Sequence, residues 1–342
     1  MLFVLADEPG WRPRALWVHL RDFGADFRFH RREGRWVCRI PRPPVDRLEY
    51  LISVVDTGGV EYLRRDPANP HTSRGVFGDH CLLEFPEYLP PEWRGQSLDP
   101  GTTEPVLLAD EDAQIVLSGD LWAPSGTSAD QTLPLLVVHD GPEYADLAEL
   151  LQYLNWLWAR QPRTRCRILL LNPIDRDRSY SASPGYARAL MSQALPAVLG
   201  RFATTPGIVG IGASLGALAL VHAAVTHPGL FAGLFLQSGS FFVPRFDQHE
   251  SGFAYYERLV RFVEQATAEP GLLAGLDIEM TCGTGEENLD NNQLFAAGLN
   301  RAGVPVHLRE NRDGHNYCAW RDCLDPGLAG LLTRTWTREP RG

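Results

Sequence analysis

Between residues 133 and 332 the sequence alternates short, continuous apolar runs with longer stretches of helical periodicity. A continuous apolar run predicts a strand that is buried on both faces, and strands alternating with helices predict a parallel sheet covered by helices on both sides. The predicted strands are 133–138, 168–171, 208–211, 234–236, 276–280 and 304–308, and the predicted helices are 147–159, 186–202, 215–225, 254–266, 289–299 and 317–332. This pattern constrains residues 99–342 to an α/β fold.

The N-terminal part of the chain has a different pattern. Residues 15–20, 35–40 and 48–55 are short apolar or alternating runs, separated by turn-forming glycines and prolines, and they predict a small β-sandwich. The proline-rich stretch 66–91 predicts irregular chain, and residues 94–101 predict a linker. We therefore predict a β-sandwich domain at 1–98 and an α/β domain at 99–342, which agrees with a length of 342 residues.

Charge and cysteine content exclude several partners. The net charge of −10 argues against nucleic acid or an anionic membrane as a partner, and we expect a small-molecule ligand instead. The N-terminus lacks a signal-peptide pattern, and no apolar run approaches the ~18 residues of a membrane span. The six cysteines form no zinc pattern, so we expect no metal, no disulfide and a cytoplasmic location. The oligomeric state stays open.

The chain contains no lysine. This absence excludes Schiff-base catalysis by lysine, a phosphate-binding loop of the Walker type and a serine–lysine dyad. Any positive charge that meets a ligand must come from arginine.

The strongest local motif is Gly-Ala-Ser-Leu-Gly at 212–216, between a predicted strand and a predicted helix. Such a turn lifts the serine hydroxyl above the end of the strand, so Ser214 is the candidate nucleophile. Two other readings compete. The small residues can serve only close strand–helix packing, or they can belong to a dinucleotide-binding loop. The second reading requires an acidic residue about 20 positions later, and residues 231–237 contain none.

A serine nucleophile requires a base and an acid. His315 lies in a loop after the last predicted strand, where the base of a Ser–acid–His order is expected. Glu286 follows the preceding strand and is the preferred acid, with Glu287 and Asp290 behind it. A carboxylate there can fix the histidine tautomer, or it can simply cap the next helix.

The oxyanion of the reaction requires two backbone donors. One is the N–H of Leu215, at the start of a predicted helix. The second is expected in the loop 139–144, after the first buried strand. Pro142 has no N–H, so the donor is Gly141 or Glu143, and the sequence leaves this choice open.

Together these motifs resemble the enterochelin (ferric enterobactin) esterase family of the α/β-hydrolases along the whole chain. The resemblance rests on Asp-Gly at 140–141, the 212–216 motif, Gly-Thr-Gly-Glu at 283–286, and Asp-Gly-His-Asn at 313–316 followed by Trp320 and Arg321. It implies an α/β-hydrolase domain preceded by a β-sandwich, a serine esterase without a cofactor, and a ferric siderophore trilactone as substrate. Three departures from the family pattern occur. No glutamate follows Arg178, Pro142 stands where a backbone donor is usual, and Asp313 and Asn316 replace a glycine and an aspartate.

The implied substrate is anionic and aromatic, which suggests its contacts. Arginines are candidates for its charge and aromatic residues for its walls. The candidates are Arg178, Tyr180, Phe241, Phe242, Arg245, Trp320 and Arg321. Trp320 and Arg321 can instead anchor the last helix, and the two phenylalanines can be core residues. Two other functions remain: an esterase or acyltransferase for carbohydrate or other acyl esters, and a non-catalytic binding protein on a hydrolase scaffold.

Overall fold

A computed structural model describes residues 1–8, 10–110 and 115–337. Its internal contacts group the chain into two units. The first unit contains Met1–Pro90 together with two later segments, Gly283–Glu287 and Glu310–Ala319, and the second contains the rest of the chain. The predicted division into 1–98 and 99–342 stays a prediction.

The first unit is built from short strands in two antiparallel sheets. Its strands are Leu2–Ala6 (β1), Ala15–Leu20 (β2), Ala25–Arg28 (β3), His30–Arg32 (β4), Arg35–Arg39 (β5), Arg47–Val55 (β6), Glu61–Arg64 (β7), Thr72–Ser73 (β8) and His80–Glu84 (β9). One sheet has the order β1-β5-β4, and the other has the order β3-β2-β6-β9-β8 with β7 paired to β6. Strands β8 and β9 correct the prediction of irregular chain at 66–91.

The two sheets of the first unit share one apolar core. Alternate residues of β1 and β5 point into it, as the burial of Phe3 and Cys38 shows, and so do Val18 of β2 and Ile52 of β6. The rings of Phe3 and Tyr50, one from each sheet, meet edge to face with centroids 5.0 Å apart. Two antiparallel layers around one core confirm the predicted sandwich class.

The second unit contains most of a mixed sheet and its helices, although the last residues of two strands and the first residues of one helix are grouped with the first unit. The strands are Thr102–Asp110 (β10), Ile115–Ala123 (β11), Leu135–His139 (β12), Arg167–Pro173 (β13), Ile208–Ala213 (β14), Phe231–Gln237 (β15), Asp277–Gly283 (β16) and Val306–Asn311 (β17). The helices are Gly141–Asp146 (α1), Leu150–Arg160 (α2), Arg176–Tyr180 (α3), Pro184–Ala189 (α4), Leu195–Leu199 (α5), Leu215–Thr226 (α6), Pro244–Asp247 (α7), Tyr256–Ala268 (α8), Leu289–Arg301 (α9), Tyr317–Asp322 (α10) and Gly327–Trp336 (α11).

The sheet order is β10-β11-β13-β12-β14-β15-β16-β17. Strands β10, β11 and β13 pair antiparallel, whereas the pairs from β13 through β12, β14 and β15 to β16 are parallel. Every residue of β12 and β14 is buried, as expected for strands covered on both faces. The predicted α/β class is confirmed.

Two predicted helices are interrupted in the structure. The stretch predicted as one helix at 186–202 is divided into α4, a π-helical turn at Leu190–Ala194, and α5, which has a proline in its first turn. The last predicted helix is divided into α10 and α11, and Pro326 stands immediately before α11. Proline has no N–H for the helical ladder, so a helix ends or bends before it. Within the described residues, no helix has the length and apolarity needed to cross a bilayer.

The turn from β14 to α6 depends on very close packing. A Cβ atom added to Gly212 would lie 2.8 Å from the carbonyl carbon and oxygen of Gly216. These are backbone atoms of the first turn of α6, so they cannot move aside as a flexible side chain can. The absence of a side chain at position 212 therefore sets the position of Ser214 between strand and helix.

We predict that Gly212→Ala lowers the free energy of unfolding by about 1–3 kcal/mol, because the added methyl group pushes α6 away from β14. The matched control is Gly271→Ala at an exposed glycine with open space around its Cβ position, and it should stay within about 0.5 kcal/mol of the wild type. Urea unfolding of the two variants measures both values. Equal stabilities would contradict the packing explanation.

Candidate active site

Ser214 occupies a strained turn. It follows the last residue of β14 and precedes the first residue of α6, and its backbone has φ +55° and ψ −124°. Its N–H donates to the carbonyl of Gln237 at 2.9 Å. Positive φ at a residue other than glycine is costly and tends to persist where function requires the geometry. The turn has the strand–turn–helix form that the motif predicts.

A second hydroxyl lies beside that of Ser214. The Oγ atoms of Ser214 and Ser240 are 3.2 Å apart, and the N–H of Ser240 donates to the carbonyl of Ser214 at 3.2 Å. Ser240 lies in the loop that follows β15, and Ser238 of the same loop has a φ of +49°. No motif in the sequence points to Ser240, although it follows the strand that comes directly after the serine motif in the chain.

The loop after β12 offers backbone donors. Asp140 has a φ of +51°, and α1 begins at Gly141 with Pro142 at its second position. The first N–H groups of a helix have no intrahelical acceptor and carry partial positive charge. Gly141 and Leu215 both lie at the first position of a helix, α1 and α6 respectively. Each of the two N–H groups therefore has the backbone character expected of an oxyanion donor.

Asp140 is held in its conformation by two side chains. Arg176 donates to both carboxylate oxygens of Asp140, at 2.8 and 2.7 Å. The N–H of Asp140 donates to the hydroxyl of Tyr180 at 3.1 Å. Tyr180, a predicted substrate contact, is completely buried and stacks on His139 with ring centroids 4.6 Å apart. In this structure Tyr180 supports the 140–141 turn from beneath.

His139 links the oxyanion loop to the first turn of α6. Its Nδ1 lies 2.9 Å from the carbonyl oxygen of Gly216, and its Nε2 lies 2.7 Å from the hydroxyl of Tyr186. A carbonyl oxygen only accepts, so Nδ1 carries the proton and Nε2 accepts from the tyrosine. Complete burial lowers the pKa of His139 to about 4, which keeps the ring neutral.

A buried polar network lies below the turn at Ser214. The side chain of Gln237 accepts from the hydroxyl of Tyr144 at 2.9 Å, and it donates to the hydroxyl of Thr281 at 3.1 Å and to the carbonyl of Trp320 at 3.0 Å. The indole of Trp320 donates to the hydroxyl of Ser238 at 2.9 Å. Because these buried groups find partners, the network makes the surroundings of the turn rigid.

Glu286 and His315 form a hydrogen-bonded pair. Oε2 of Glu286 lies 2.8 Å from Nδ1 of His315, and Oε1 accepts from the N–H of Gly283 at 2.7 Å. The Glu286 side chain is 1% exposed, whereas that of His315 is 29% exposed, so the carboxylate is shielded while the imidazole remains accessible to solvent. Glu287, the alternative acid, is exposed.

The predicted catalytic residues fall into two groups in the structure. Ser214, Leu215 and Gly141 belong to the second unit, and the Glu286–His315 pair belongs to the first. Each group has the local geometry described above. Their action in one reaction stays a prediction.

Three of the predicted substrate contacts are accessible. Arg178 and Phe242 are partly exposed, and Arg245 is exposed with its guanidinium 4.2 Å from the ring centre of Phe246. These side chains are able to contact a ligand.

The remaining predicted contacts are buried, as Tyr180 is. Phe241 is completely buried and stacks on Phe295 with centroids 4.0 Å apart. Trp320 is buried below Ser238, and Arg321 is buried with its guanidinium paired to Glu149 at 3.3 Å. Their main contacts are with the protein itself, as expected when aromatic and paired charged residues fill an interior.

Comparison of the sequence with known proteins finds similarity to two curated bacterial esterases. No family model matches the sequence. The chain is 27% identical over 265 residues to the iron(III) enterobactin esterase of Dickeya dadantii, in an alignment that covers 70% of this chain and 59% of the relative. It is 25% identical over 277 residues to that of Escherichia coli, covering 78% of this chain and 66% of the relative. The chain therefore matches less than two thirds of the length of these curated relatives.

Comparison of the fold with solved structures also finds esterases. The ferric enterobactin esterase from Salmonella typhimurium superposes with a TM-score of 0.76 at 21% identity, covering 98% of this chain and 93% of the other. A ferulic acid esterase superposes with a TM-score of 0.54 at 18% identity, covering 69% of this chain and 98% of the other. At these identities the likeness establishes the fold.

The buried His139 predicts a specific pH dependence of stability. Its folded pKa of about 4 lies below its ordinary value of 6.5, so the unfolded chain binds a proton here between these two values. The contribution of neutral His139 to the free energy of unfolding is fully present above about pH 6.5 and decreases as the pH falls towards 4. The total loss is about 3 kcal/mol.

We predict that His139→Asn removes this dependence, because an asparagine amide can donate to the Gly216 carbonyl but does not titrate. Between about pH 6.5 and 4, the wild type should lose up to about 1.4 kcal/mol more per pH unit than the variant. Urea unfolding across this range measures the difference. His222, whose pKa burial also lowers to about 4, is present in both proteins and cancels. If the free energies of unfolding of the wild type and the variant change in parallel with pH, His139 is not a buried neutral group.

Proposed function

We propose that this chain, an α/β-hydrolase similar to the iron(III) enterobactin esterases, is a serine esterase that acts through an acyl-Ser214 intermediate. The observation that carries the proposal is the 2.8 Å hydrogen bond between Nδ1 of His315 and Oε2 of Glu286. A carboxylate on Nδ1 selects the tautomer in which Nε2 is unprotonated, and that atom is the general base of a serine hydrolase. The strained turn at Ser214 supports its role as nucleophile.

In the proposed reaction, Oγ of Ser214 attacks the ester carbonyl carbon while Nε2 of His315 takes the hydroxyl proton. Glu286 stabilises the imidazolium, and the N–H groups of Leu215 and Gly141 donate to the oxyanion. When the bond to the alcohol breaks, His315 returns the proton to the leaving oxygen. A water molecule, deprotonated by Nε2 of His315, then attacks the acyl carbon. The bond to Oγ of Ser214 breaks, His315 returns the proton to Oγ, and the acid and the free serine are released.

Ser240 has a supporting part in this proposal. Its hydroxyl lies 3.2 Å from that of Ser214, and its backbone is tied to the same turn. We assign it the task of holding the Ser214 hydroxyl in one rotamer before attack, which reduces the entropy lost in reaching the transition state.

We propose a ferric catecholate siderophore with a trilactone core as the substrate. The names of the curated relatives and the shared fold support this assignment. A ferric tris-catecholate is anionic, and the accessible Arg178 and Arg245 have guanidinium groups that never lose their charge. Phe242, which is partly exposed, is the proposed aromatic contact.

The buried members of the predicted contact set have a different proposed role. They shape the substrate site from beneath by holding the backbone that lines it. These residues are Tyr180, Phe241, Trp320 and Arg321. The cytoplasmic location stays a prediction.

We predict that Glu286→Gln lowers kcat about 10³- to 10⁴-fold, because a neutral amide neither selects the tautomer of His315 nor stabilises its imidazolium. The matched control is Glu287→Gln at the exposed neighbouring acid, which should remain within about twofold of the wild type. Both variants are assayed by hydrolysis of a p-nitrophenyl ester and by labelling with a fluorophosphonate probe. Ser214→Ala is the blank. Loss of activity in the control alone would reassign the acid to Glu287.

The substrate assignment predicts a defined set of products. Incubation with a ferric trilactone siderophore should give the linear trimer, dimer and monomer of its acylated serine, and Ser214→Ala should leave the trilactone intact. Mass spectrometry of the products tests this, with feruloylated and acetylated sugars as competing substrates. Cleavage of the sugar esters alone would support the alternative function of a carbohydrate acyl esterase. The likeness of this chain to the fold of a ferulic acid esterase is consistent with that alternative.

A further inference from the structure

The loop that carries His315 is tied to the N-terminal strands on both sides of the histidine. This histidine loop, residues 312–316, joins β17 to α10 and belongs with Met1–Pro90 in the first unit. At its start, Arg312 donates from Nε to Asp46 at 2.9 Å, and the N–H of Asp46 donates to the carbonyl of Arg312 at 2.7 Å. The next two contacts flank His315 itself.

The first flanking contact is a buried ion pair. Arg47, on β6, donates from Nε to Oδ2 of Asp313 at 2.9 Å and also from Nη2 to the same oxygen. Both side chains are buried, with 2% and 10% of their surfaces exposed. A buried charge is tolerated only when it is paired, so movement of Asp313 away from Arg47 would cost both buried charges the energy of this ion pair. The ion pair therefore fixes the position of the histidine loop.

Asp313 also contacts the backbone on both sides of the Glu286–His315 pair. Its Oδ1 accepts from the N–H of Gly314 at 2.9 Å, which fixes the Asp313–Gly314 peptide, one peptide before the one that leads into His315. Its carbonyl accepts from the N–H of Gly285 at 3.0 Å, in the segment that carries Glu286. One residue thus connects the segment of the acid with the loop of the base.

The second flanking contact involves Asp22, in the short helical turn between β2 and β3. Its Oδ2 accepts from the side-chain amide of Asn316 at 2.7 Å, immediately after His315. The same oxygen lies so near Gly314 that a Cβ there would come within 2.5 Å of it. Oδ1 of Asn316 accepts from the N–H of Ala319, which joins the contact to the first turn of α10.

The residues on both sides of His315 are chemically complementary to their partners. The acidic Asp313 faces the cationic Arg47, and the amide of Asn316 faces the acidic Asp22. Each of the two therefore matches a partner in the N-terminal strands or in the turn between them.

We propose that Arg47 and Asp22 are positioning residues for His315, acting through Asp313 and Asn316 to hold the imidazole against Glu286. The inference rests on the proposed function, because it concerns the general base of that reaction. In this view the N-terminal β-sandwich contributes to the chemical step through these contacts, so weakening them lowers kcat with little change in KM.

A charge exchange between Asp22 and Asn316 tests the proposal. At about pH 8, Asn316→Asp places two carboxylates against each other and should lower kcat about 10- to 100-fold with little change in KM, because a small displacement of the base is costly. The double variant D22N/N316D restores one amide and one carboxylate, and should recover most of the lost kcat. The substrate is a p-nitrophenyl ester, and each rate is divided by the number of sites titrated with a fluorophosphonate.

Two further variants complete the experiment. Asp313→Asn retains the shape of the side chain but removes its charge, and should also lower kcat per titrated site. Glu87→Gln breaks the exposed ion pair between Arg42 and Glu87 in the same unit, and should match the wild type. Melting curves by circular dichroism verify that each variant is folded. Should Asn316→Asp not fold, Asp313→Asn provides the kcat measurement.

The outcomes separate this proposal from the proposed function. One outcome is that the wild type is labelled and active while the variants have an unchanged kcat per titrated site. This result overturns the positioning role and does not affect the esterase assignment. A lower number of titrated sites with unchanged kcat also overturns it, because a purely structural contact would act in that way.

If the wild type is not labelled, the proposed function fails, and a spectroscopic readout decides the positioning role. The hydrogen-bonded Nδ1–H of His315 should give a low-field proton NMR signal that Asn316→Asp weakens and the double variant restores. A signal that does not change in Asn316→Asp would falsify the inference.

Discussion

The proposed reaction depends on the hydrogen bond between Glu286 and His315, because this bond fixes which imidazole nitrogen can act as the base. The carboxylate is buried, and its second oxygen is occupied by the N–H of Gly283, so it faces the imidazole from one fixed position. Removal from water strengthens such a bond, because fewer solvent dipoles compete for the carboxylate. The imidazole keeps a partly exposed surface, which leaves it accessible to a substrate or a water molecule.

The parallel sheet determines where the other reactive groups can lie. Ser214, Ser240 and the 140–141 turn each follow the carboxyl end of a strand, and in the sheet order β12 pairs with β14 and β14 with β15. Strained backbone recurs at these ends, at Asp140, Ser214 and Ser238, each with a positive φ. Such strain persists because the surrounding packing and hydrogen bonds overdetermine it. The ring of His139 and the side chain of Gln237 are the central members of that support.

The sequence predicted the fold class well, because it depends on local periodicity. Continuous apolar runs became β12 and β14, and the stretch predicted as a helix after the serine became α6. Helix ends were less predictable, as the interruption of the last helix before Pro326 shows. The short strand β9 was missed within a proline-rich stretch, because its pairing with β6 depends on a partner distant in sequence.

The sequence by itself determined which residues have reactive side chains and in what order they follow strands, and this made Ser214, Glu286 and His315 the candidate catalytic residues. Only the tertiary structure decided burial and long-range pairing. It placed Phe241 in the core, and it paired Arg47 with Asp313 across 266 positions of the chain. The physical reason is that burial and ion pairing depend on which distant segments the packed sheets bring together, and no local pattern contains that information.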